Sequence, residues 1–313
     1  MSKCGLLYDP VFLTHKTAAG HPEQPKRVSR AHQAIVEAGL DQKILPLSCT
    51  PCERKHLERV HSHPYLVQAE KDIANGFTQL STGDTSICED SWDVALRATG
   101  GVVDATDKIL SGNMDRAFCL SRPPGHHATP SKGMGFCIFN HAAVAARYAQ
   151  AVHGAGKVLI VDWDVHHGNG TQDIFYEDES VYFFSTHQAP WYPGTGRREE
   201  TGSGNGLGFT RNHPLPSGSG HAEIVENAFA DDLVHRMNRY RPEFVIISAG
   251  FDSKLGDPLG QFQLTDDDFF ELTQVIRSIA DEHAESRVLS ILEGGYHLEG
   301  LSQACVAHLK ALI

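Results

Sequence analysis

The chain has 313 residues, 41% of them hydrophobic, and a formal net charge of −12 at pH 7, which allows a large buried core in one domain. The acidic balance argues against direct binding of nucleic acids, because phosphate-backbone binding needs a basic face. No apolar run approaches a membrane span, the N-terminus does not resemble a signal peptide, and seven scattered cysteines favour a reduced, cytoplasmic setting.

Hydrophobic patterning predicts strands that alternate with helices along the whole chain. A short strand near 6–8 precedes predicted helical segments at 25–38, 53–75 and 91–110. Further strands are predicted at 117–120, 158–161, 181–184, 244–247 and 287–292, and helices at 139–152, 221–240, 265–285 and 298–312. This alternation indicates an α/β fold with a parallel, doubly wound sheet. The Gly-rich stretch 193–220 is interpreted as a folded active-site loop.

Polar residues follow the predicted strands, and they are densest after the apolar run 158–161. Asp162, Asp164, His166 and His167 come directly after that run. In extended backbone Asp164 and His166 share a face, and Asp252 from another strand end can supply a third ligand. Three nitrogen and oxygen ligands with an open fourth position are typical of catalytic zinc. The alternative is that the aspartates cap a turn and the histidines pack, but buried charge at this density is costly without a cation.

A second group of polar residues suits proton transfer. His126 and His127 are adjacent at a predicted strand end, and Asp162 and Asn169 are candidate partners for their ring nitrogens. Tyr296 follows two glycines, and its hydroxyl can donate to an oxyanion. Together these residues indicate metal-assisted hydrolysis of an uncharged carbonyl compound. No phosphate-binding loop, nucleophile elbow or dinucleotide fingerprint is found.

Five motifs, in this order and spacing, resemble the zinc-dependent histone deacetylase family. They are Arg122-Pro-Pro-Gly-His-His, Asp162-Trp-Asp-Val-His-His-Gly-Asn-Gly-Thr-Gln, Ser248-Ala-Gly-Phe-Asp-Ser, Gly256-Asp-Pro-Leu-Gly and Leu292-Glu-Gly-Gly-Tyr. The likeness is to class II enzymes and bacterial deacetylase-like amidohydrolases, and it covers nearly the whole chain. It implies a single deacetylase catalytic domain over residues 1–313, with an arginase-like three-layer fold and a central, mainly parallel sheet between helices. It also implies a hydrolase that removes acetyl or another acyl group from the ε-amine of lysine in proteins or peptides.

The resemblance implies a role for each matching catalytic and metal-binding position. Asp164, His166 and Asp252 match the ligands of one catalytic zinc ion. His127 matches the general base, and His126, paired with Asp162, matches its electrostatic partner. The residue behind the base is Asn169, and the carbonyl-polarising tyrosine is Tyr296. One branch with histidine at the tyrosine position deacetylates poorly, so Tyr296 favours an active enzyme. A structural potassium or sodium site matches Asp162, Asp164, His166, Ser185 and Thr186, and a second such site falls at Phe175, Asp178 and Val181.

Further matching positions concern the substrate. Phe136 and Tyr192 match the two aromatic walls of an acyl-lysine tunnel, and Asp84 matches a rim residue that holds the substrate backbone. Arg27 matches an arginine of an internal channel. The expected substrate-binding set is Phe136, Tyr192, Asp84, Leu259, Gly135, Gly294 and Arg27.

Three readings of the function stay open at this point. Polyamine-specialised relatives carry a glutamate just after Gly-Asp-Pro, whereas this chain has Leu259, which favours acyl-lysine in a peptide. The second reading is an enzyme that deacetylates acylated polyamines or other small amides. The third is a non-catalytic acyl-lysine binder, which would be expected to lack Tyr296 or a zinc ligand. The acyl chain, the physiological substrate and the oligomeric state are left open.

Overall fold

A computed structural model describes residues 3–313 of the chain and shows one central sheet. Its strands are β1 Cys4–Leu7, β2 Leu45–Pro46, β3 Arg116–Cys119, β4 Val158–Asp162, β5 Val181–Gln188, β6 Thr210–Leu215, β7 Phe244–Ala249 and β8 Val288–Leu292. The strand order is β2-β1-β3-β8-β7-β4-β5-β6, and every neighbouring pair is parallel. The carboxyl ends of these strands therefore meet at one edge, as the predicted α/β fold requires.

Helices cover both faces of this sheet. They are α1 Lys26–Glu37, α2 Arg54–Leu57, α3 His63–Ala74, α4 Ser91–Leu110, α5 His141–His153, α6 Asn169–Phe175, α7 Val234–Tyr240, α8 Asp266–His283 and α9 Leu298–Leu312. A π-helical segment, Ala222–Leu233, runs directly into α7. Helices α1, α8, α9 and this segment pack together on one face, and α2 to α6 pack on the other, which gives three layers.

Local sequence explains where the helices begin and end. The Thr265 hydroxyl accepts the Asp268 N–H, and the Asp268 side chain accepts the Thr265 N–H, a capping box that starts α8. Helix α5 starts where the Asn140 side chain accepts the Ala143 N–H, and it ends at Gly154 in the left-handed region. These caps satisfy backbone groups that a helix terminus leaves unpaired. Within the described residues, no helix combines the length and apolar character needed to cross a membrane.

The predicted alternation of strands and helices is confirmed, with three elements that the patterning did not predict: the two-residue strand β2, strand β6 and helix α6. Strand β6 lies inside the Gly-rich stretch 193–220, which was interpreted only as a loop. It is an edge strand, which tolerates Pro214, and its sequence contains no apolar run that would have marked it as a strand. Helix α6 has only seven residues and includes Gly170, so it shows no amphipathic period.

Candidate active site

Three buried side chains at the carboxyl edge of the sheet form a group that could hold a metal ion. The group is Asp164, His166 and Asp252, each offering one ligand atom, with these atoms all within 4.8 Å of one another. Nδ1 of His166 lies 3.0 Å from Oδ1 of Asp164 and 3.2 Å from Oδ2 of Asp252. The structure therefore brings together the three residues predicted as zinc ligands, and their role as ligands stays a prediction.

The backbone that carries Asp164 and His166 is bent, which corrects the expectation of an extended segment. Strand β4 ends at Asp162, whose carboxylate accepts the Asp164 N–H at 3.1 Å. The Asp164 carboxylate in turn accepts the His166 N–H at 2.9 Å. These short-range bonds to backbone N–H groups turn the chain after the strand. A bend, and not a shared strand face, therefore brings the two side chains together.

The charges in this group fit a metal cation. Burial alone would lower the pKa of His166, but its bonds to Asp164 and Asp252 outweigh burial and raise that pKa to about 10. Burial, together with the Asp164 charge, raises the pKa of the Asp252 carboxyl to about 7. Two buried carboxylates thus favour positive charge at this position. One imidazole and two carboxylates are a donor set that zinc accepts.

Two adjacent histidines lie beside the metal-ligand group, and each has a different partner. Nδ1 of His126 lies 2.9 Å from Oδ2 of Asp162, and Nδ1 of His127 lies 2.8 Å from Oδ1 of Asn169. The two rings are 3.9 Å apart between centroids. Because an amide oxygen accepts, Nδ1 of His127 is the donor in its pair, and Nε2 is the nitrogen that can accept a proton.

The partners drive the two histidine pKa values in opposite directions. Burial would lower the pKa of His126, but the Asp162 and Asp164 carboxylates outweigh burial and raise it well above its ordinary value. Burial lowers the pKa of His127 well below its ordinary value, and the positive charges of His126 and His166 lower it further. The pair therefore combines an imidazolium with a neutral imidazole.

Glu293 supports the histidine pair, a contact for which the sequence analysis proposed no role. Its Oε2 accepts the N–H of Gly125 at 2.6 Å and the N–H of His126 at 3.0 Å. Its Oε1 accepts the Ser248 hydroxyl at 3.0 Å. Burial raises the pKa of Glu293 to about 7, although the His126 charge opposes this. The position of Glu293 directly after the buried strand β8 could have indicated a role at the site, but its partners lie in distant segments of the sequence.

Arg27 anchors the turn that carries Tyr296. Nε of Arg27 donates to the Gly295 carbonyl at 2.6 Å, and Nη2 donates to the Glu293 carbonyl at 2.5 Å. The guanidinium also lies 4.9 Å from the centre of the Tyr296 ring. Gly295 has φ +122°, a conformation that favours glycine. Arg27 thus contacts the tyrosine turn, and it does not line the cavity described below.

A narrow cavity of about 260 Å³ leads to these groups from the surface. Its lining comprises Asp84, His127, Gly135, Phe136, His166, Trp191, Tyr192, Leu259 and Tyr296. Five of the seven residues predicted to contact substrate are among them, and Trp191 was not predicted. Gly294 lies elsewhere, where its N–H donates to Oδ2 of Asp164 at 2.8 Å. A Cβ at that glycine would lie 2.0 Å from Oδ2 of Asp252, so the residue fits closely against the metal-ligand carboxylates.

Hydrogen bonds tie the mouth of this cavity together. The Asp84 carboxylate accepts the Gly135 N–H at 2.6 Å and the Tyr192 hydroxyl at 3.1 Å. The Trp191 indole N–H donates to the Leu259 carbonyl at 2.9 Å. The Tyr192 ring lies edge-on to His127, with 5.2 Å between ring centroids. These bonds connect loops that are far apart in the sequence, which is why pattern reasoning did not find them.

The residues predicted for each of the two monovalent-cation sites lie near one another in the fold. Asp162 and Ser185 are paired in register between β4 and β5, and Thr186 follows in β5. At the second position, the Phe175 carbonyl accepts the Asp178 N–H at 3.1 Å, and β5 begins at Val181. The Asp178 carboxylate is also bonded to Arg147 at 2.6 Å. Both cation sites stay predictions.

His167 contacts the loop that carries Tyr192 and does not join the metal-ligand group. Its Nδ1 lies 2.8 Å from the Thr195 hydroxyl, and its Nε2 lies 3.0 Å from Oε1 of Gln172. Burial lowers its pKa well below the ordinary value. His167 is therefore held by Thr195 and Gln172, outside the metal-ligand group.

Comparison with known proteins gives a consistent family. Residues 21–312 match the family described as "Histone deacetylase domain". The chain is 38% identical over 283 residues to the "Histone deacetylase-like amidohydrolase" of Pseudomonas aeruginosa, covering 89% of this chain and 73% of that protein. It is 37% identical over 302 residues to the human "Polyamine deacetylase HDAC10", covering 93% of this chain and 44% of that protein.

A solved structure agrees in fold. The "HDA15 HD domain" matches with a TM-score of 0.93 and 37% identity, over 99% of this chain and 88% of that chain. This match confirms the arginase-like fold of the family, with a central parallel sheet between helices. The chain belongs to the histone deacetylase family and is a hydrolase of amide bonds.

Proposed function

We propose that the chain is a zinc-dependent lysine deacylase that removes acetyl or another acyl group from lysine side chains in peptides or proteins. The observation that carries the proposal is the cavity itself. Its lining includes the aromatic rings of Phe136 and Tyr192 together with three buried residues, His127, His166 and Tyr296. An apolar passage that ends at proton-transfer groups suits an uncharged acyl-lysine chain better than a charged one.

Asp164, His166 and Asp252 would hold the zinc ion in this proposal. Zinc in such a site supplies a Lewis acid that lowers the pKa of water and polarises a carbonyl oxygen. The two carboxylates are oriented by backbone N–H groups, of Gly294 for Asp164 and of Val165 for Asp252. Such outer contacts fix ligand geometry before the metal binds.

The histidine pair would handle the protons. Neutral His127 accepts the proton of the attacking water at Nε2, because Nδ1 is held by Asn169. The same nitrogen then delivers a proton to the leaving amine. His126 keeps its charge through Asp162 and stabilises negative charge that develops nearby.

Tyr296 would donate its hydroxyl to the carbonyl oxygen as negative charge develops there. Burial, which the Arg27 charge opposes, raises the pKa of Tyr296 well above its ordinary value, so the hydroxyl keeps its proton. A preorganised donor of this kind contributes about 10²- to 10³-fold in kcat. Tyr296→Phe should therefore lower kcat by about that factor, measured with an acetyl-lysine peptide, and an unchanged rate would contradict the proposed role.

Acylated polyamines are the second candidate substrate class, because one relative is named a polyamine deacetylase. Leu259, at the mouth of the cavity, offers no carboxylate for a free ammonium group. We therefore expect one zinc-loaded preparation to hydrolyse acetyl-lysine peptides faster than acetylpolyamines. Leu259→Glu should shift that preference towards the polyamine, and Leu259→Gln is the control of similar size without charge.

Three further sequence predictions complete the proposal. The cation positions around Asp162, Ser185 and Thr186 are proposed to take potassium or sodium, as are those at Phe175, Asp178 and Val181. A single catalytic domain over residues 1–313 stays a prediction. So does a cytoplasmic location.

A further inference from the structure

Asp257 is a second buried charged residue, besides Arg27, that binds the backbone of the tyrosine turn. Its carboxylate is buried, and its Oδ2 accepts the N–H of Tyr296 at 2.7 Å and the N–H of His297 at 3.0 Å. Arg27 holds the carbonyl groups of the same turn. Arg27 thus binds carbonyl groups that precede Tyr296, and Asp257 binds the N–H groups of Tyr296 and His297.

The turn needs such an anchor because of its own sequence. Gly294 and Gly295 precede Tyr296, and glycine backbone has a wide range of conformations. After the turn, the His297 side chain accepts the Gly300 N–H and begins α9. The Tyr296 backbone therefore lies between a flexible glycine pair and a fixed helix, and its bond to Asp257 restrains the flexible side.

The same carboxylate also reaches the mouth of the cavity. Oδ1 of Asp257 accepts the Leu259 N–H at 2.9 Å. The Leu259 carbonyl in turn accepts the Trp191 indole N–H at 2.9 Å. A continuous chain of hydrogen bonds therefore runs from the rim, through Asp257, to the backbone of Tyr296.

We propose that Asp257 is a positioning residue that acts through Tyr296 and links it to the Leu259 rim. Asp257 does not line the cavity, so it acts without touching the substrate. The proposal rests on the proposed function, in which the Tyr296 hydroxyl donates to the substrate carbonyl. Its chemical basis is that a carboxylate can accept all three backbone N–H groups at once.

The test is a double-mutant cycle of Asp257→Asn and Tyr296→Phe on the zinc-loaded enzyme, assayed with an acetyl-lysine peptide. Asparagine replaces one acceptor oxygen by an NH₂ group, which cannot accept a backbone N–H. Displacing a catalytic group by about 1 Å can cost about 10²-fold in rate, so Asp257→Asn should lower kcat by about that factor. In the Tyr296→Phe background the same change should alter kcat by less than about threefold, because effects that act through one group are not additive.

Zinc content and melting temperature are measured for all variants, because a merely structural role would change them. Zinc should stay at one equivalent, since Asp164, His166 and Asp252 are retained. Asp267→Asn, on the exposed start of α8, is the matched control and should behave as wild type. If Asp257→Asn does not fold, Asp257→Glu takes its place, because it keeps the charge but moves the carboxylate oxygens. The decrease in kcat that Asp257→Glu causes must then also disappear in the Tyr296→Phe background.

The outcomes separate this proposal from the function on which it rests. A fully active Tyr296→Phe variant would contradict the proposed role of the Tyr296 hydroxyl and, with it, the positioning role of Asp257, whereas a wild-type enzyme inactive on the acetyl-lysine peptide would contradict the proposed function. An impaired Tyr296→Phe variant, combined with a fully active Asp257→Asn variant, would overturn the positioning role alone. The positioning role would also be overturned if Asp257→Asn lowered kcat equally in the wild-type and Tyr296→Phe backgrounds, or if the variant lost zinc.

Discussion

Glu23 provides a test of how a buried charge network supports the site. The carboxylate is fully buried and accepts two bonds from Arg122, at 2.8 and 2.7 Å, in a bidentate pair. Arg27, which anchors the tyrosine turn, donates to Glu23 at 3.3 Å. Nε2 of His15 lies 3.6 Å from the same carboxylate. Glu23 thus balances two buried guanidinium groups, one of which reaches the active site.

The pKa of Glu23 gives the size of the effect. Burial would raise this pKa, but the Arg122 charge and hydrogen bonds outweigh burial and lower it from 4.5 to about 2. One pKa unit is worth about 1.4 kcal/mol, so ionised Glu23 contributes about 3 kcal/mol to the free energy of unfolding. Because the folded pKa is depressed, this contribution is complete above pH 4.5 and is lost as the pH falls towards 2.

Glu23→Gln should therefore lower the free energy of unfolding at pH 7 by about 3 to 5 kcal/mol, since it leaves buried arginines without a carboxylate. Denaturant unfolding of wild type and variant is compared from pH 7 to pH 3. The difference between them should be constant down to about pH 5 and should shrink below 4.5. Glu37→Gln, an exposed position at the end of α1, is the control and should change little. The reasoning would be refuted if Glu23→Gln lowered the free energy of unfolding by less than about 1 kcal/mol, or if the difference from wild type did not depend on pH.

Three further predictions concern the site directly. Asp252→Asn should abolish stoichiometric zinc binding, measured by metal analysis after gel filtration, and full zinc retention would contradict the ligand assignment. Asn169→Ala should lower kcat by about 10- to 100-fold, because His127 loses the acceptor that fixes its ring; steady-state kinetics check this, and an unchanged kcat would argue against that role. Tyr192→Phe removes the bond to Asp84, worth about 0.5 to 1 kcal/mol, so KM for a peptide should rise about two- to fivefold with kcat unchanged, and an unaltered KM would show that the bond does not matter for substrate.

The fold and the metal-ligand group could be predicted from the sequence because both depend on short-range pattern. Apolar runs mark the strands, and the residues that directly follow them must lie at the carboxyl edge of a parallel sheet. Asp164 and His166 follow β4, and Asp252 lies three residues beyond β7. Even here the local geometry differed, because carboxylate bonds to backbone N–H groups bend the chain where an extended segment was expected.

The supporting contacts could not be predicted, because they join segments that are distant in the sequence. Asp257 reaches Tyr296 across 39 positions, and Glu293 reaches Gly125 across 168. Arg27 reaches the Gly295 carbonyl across 268. Nothing in the residue types indicates such pairings, since a buried carboxylate accepts any N–H group that the fold brings to it.

The two adjacent histidines show how partners, and not residue type, determine the proton chemistry. Apart from the family resemblance, residue type alone makes His126 and His127 equivalent candidates for the base. Asp162, at the end of β4, gives His126 a carboxylate that stabilises a positive charge, whereas Asn169, at the start of α6, gives His127 only a neutral amide oxygen. The charge on His126, 3.9 Å away between ring centres, then helps to keep its neighbour neutral. The proposed base is therefore selected by the last residue of β4 and the first residue of α6, and the segment between them carries two of the proposed zinc ligands.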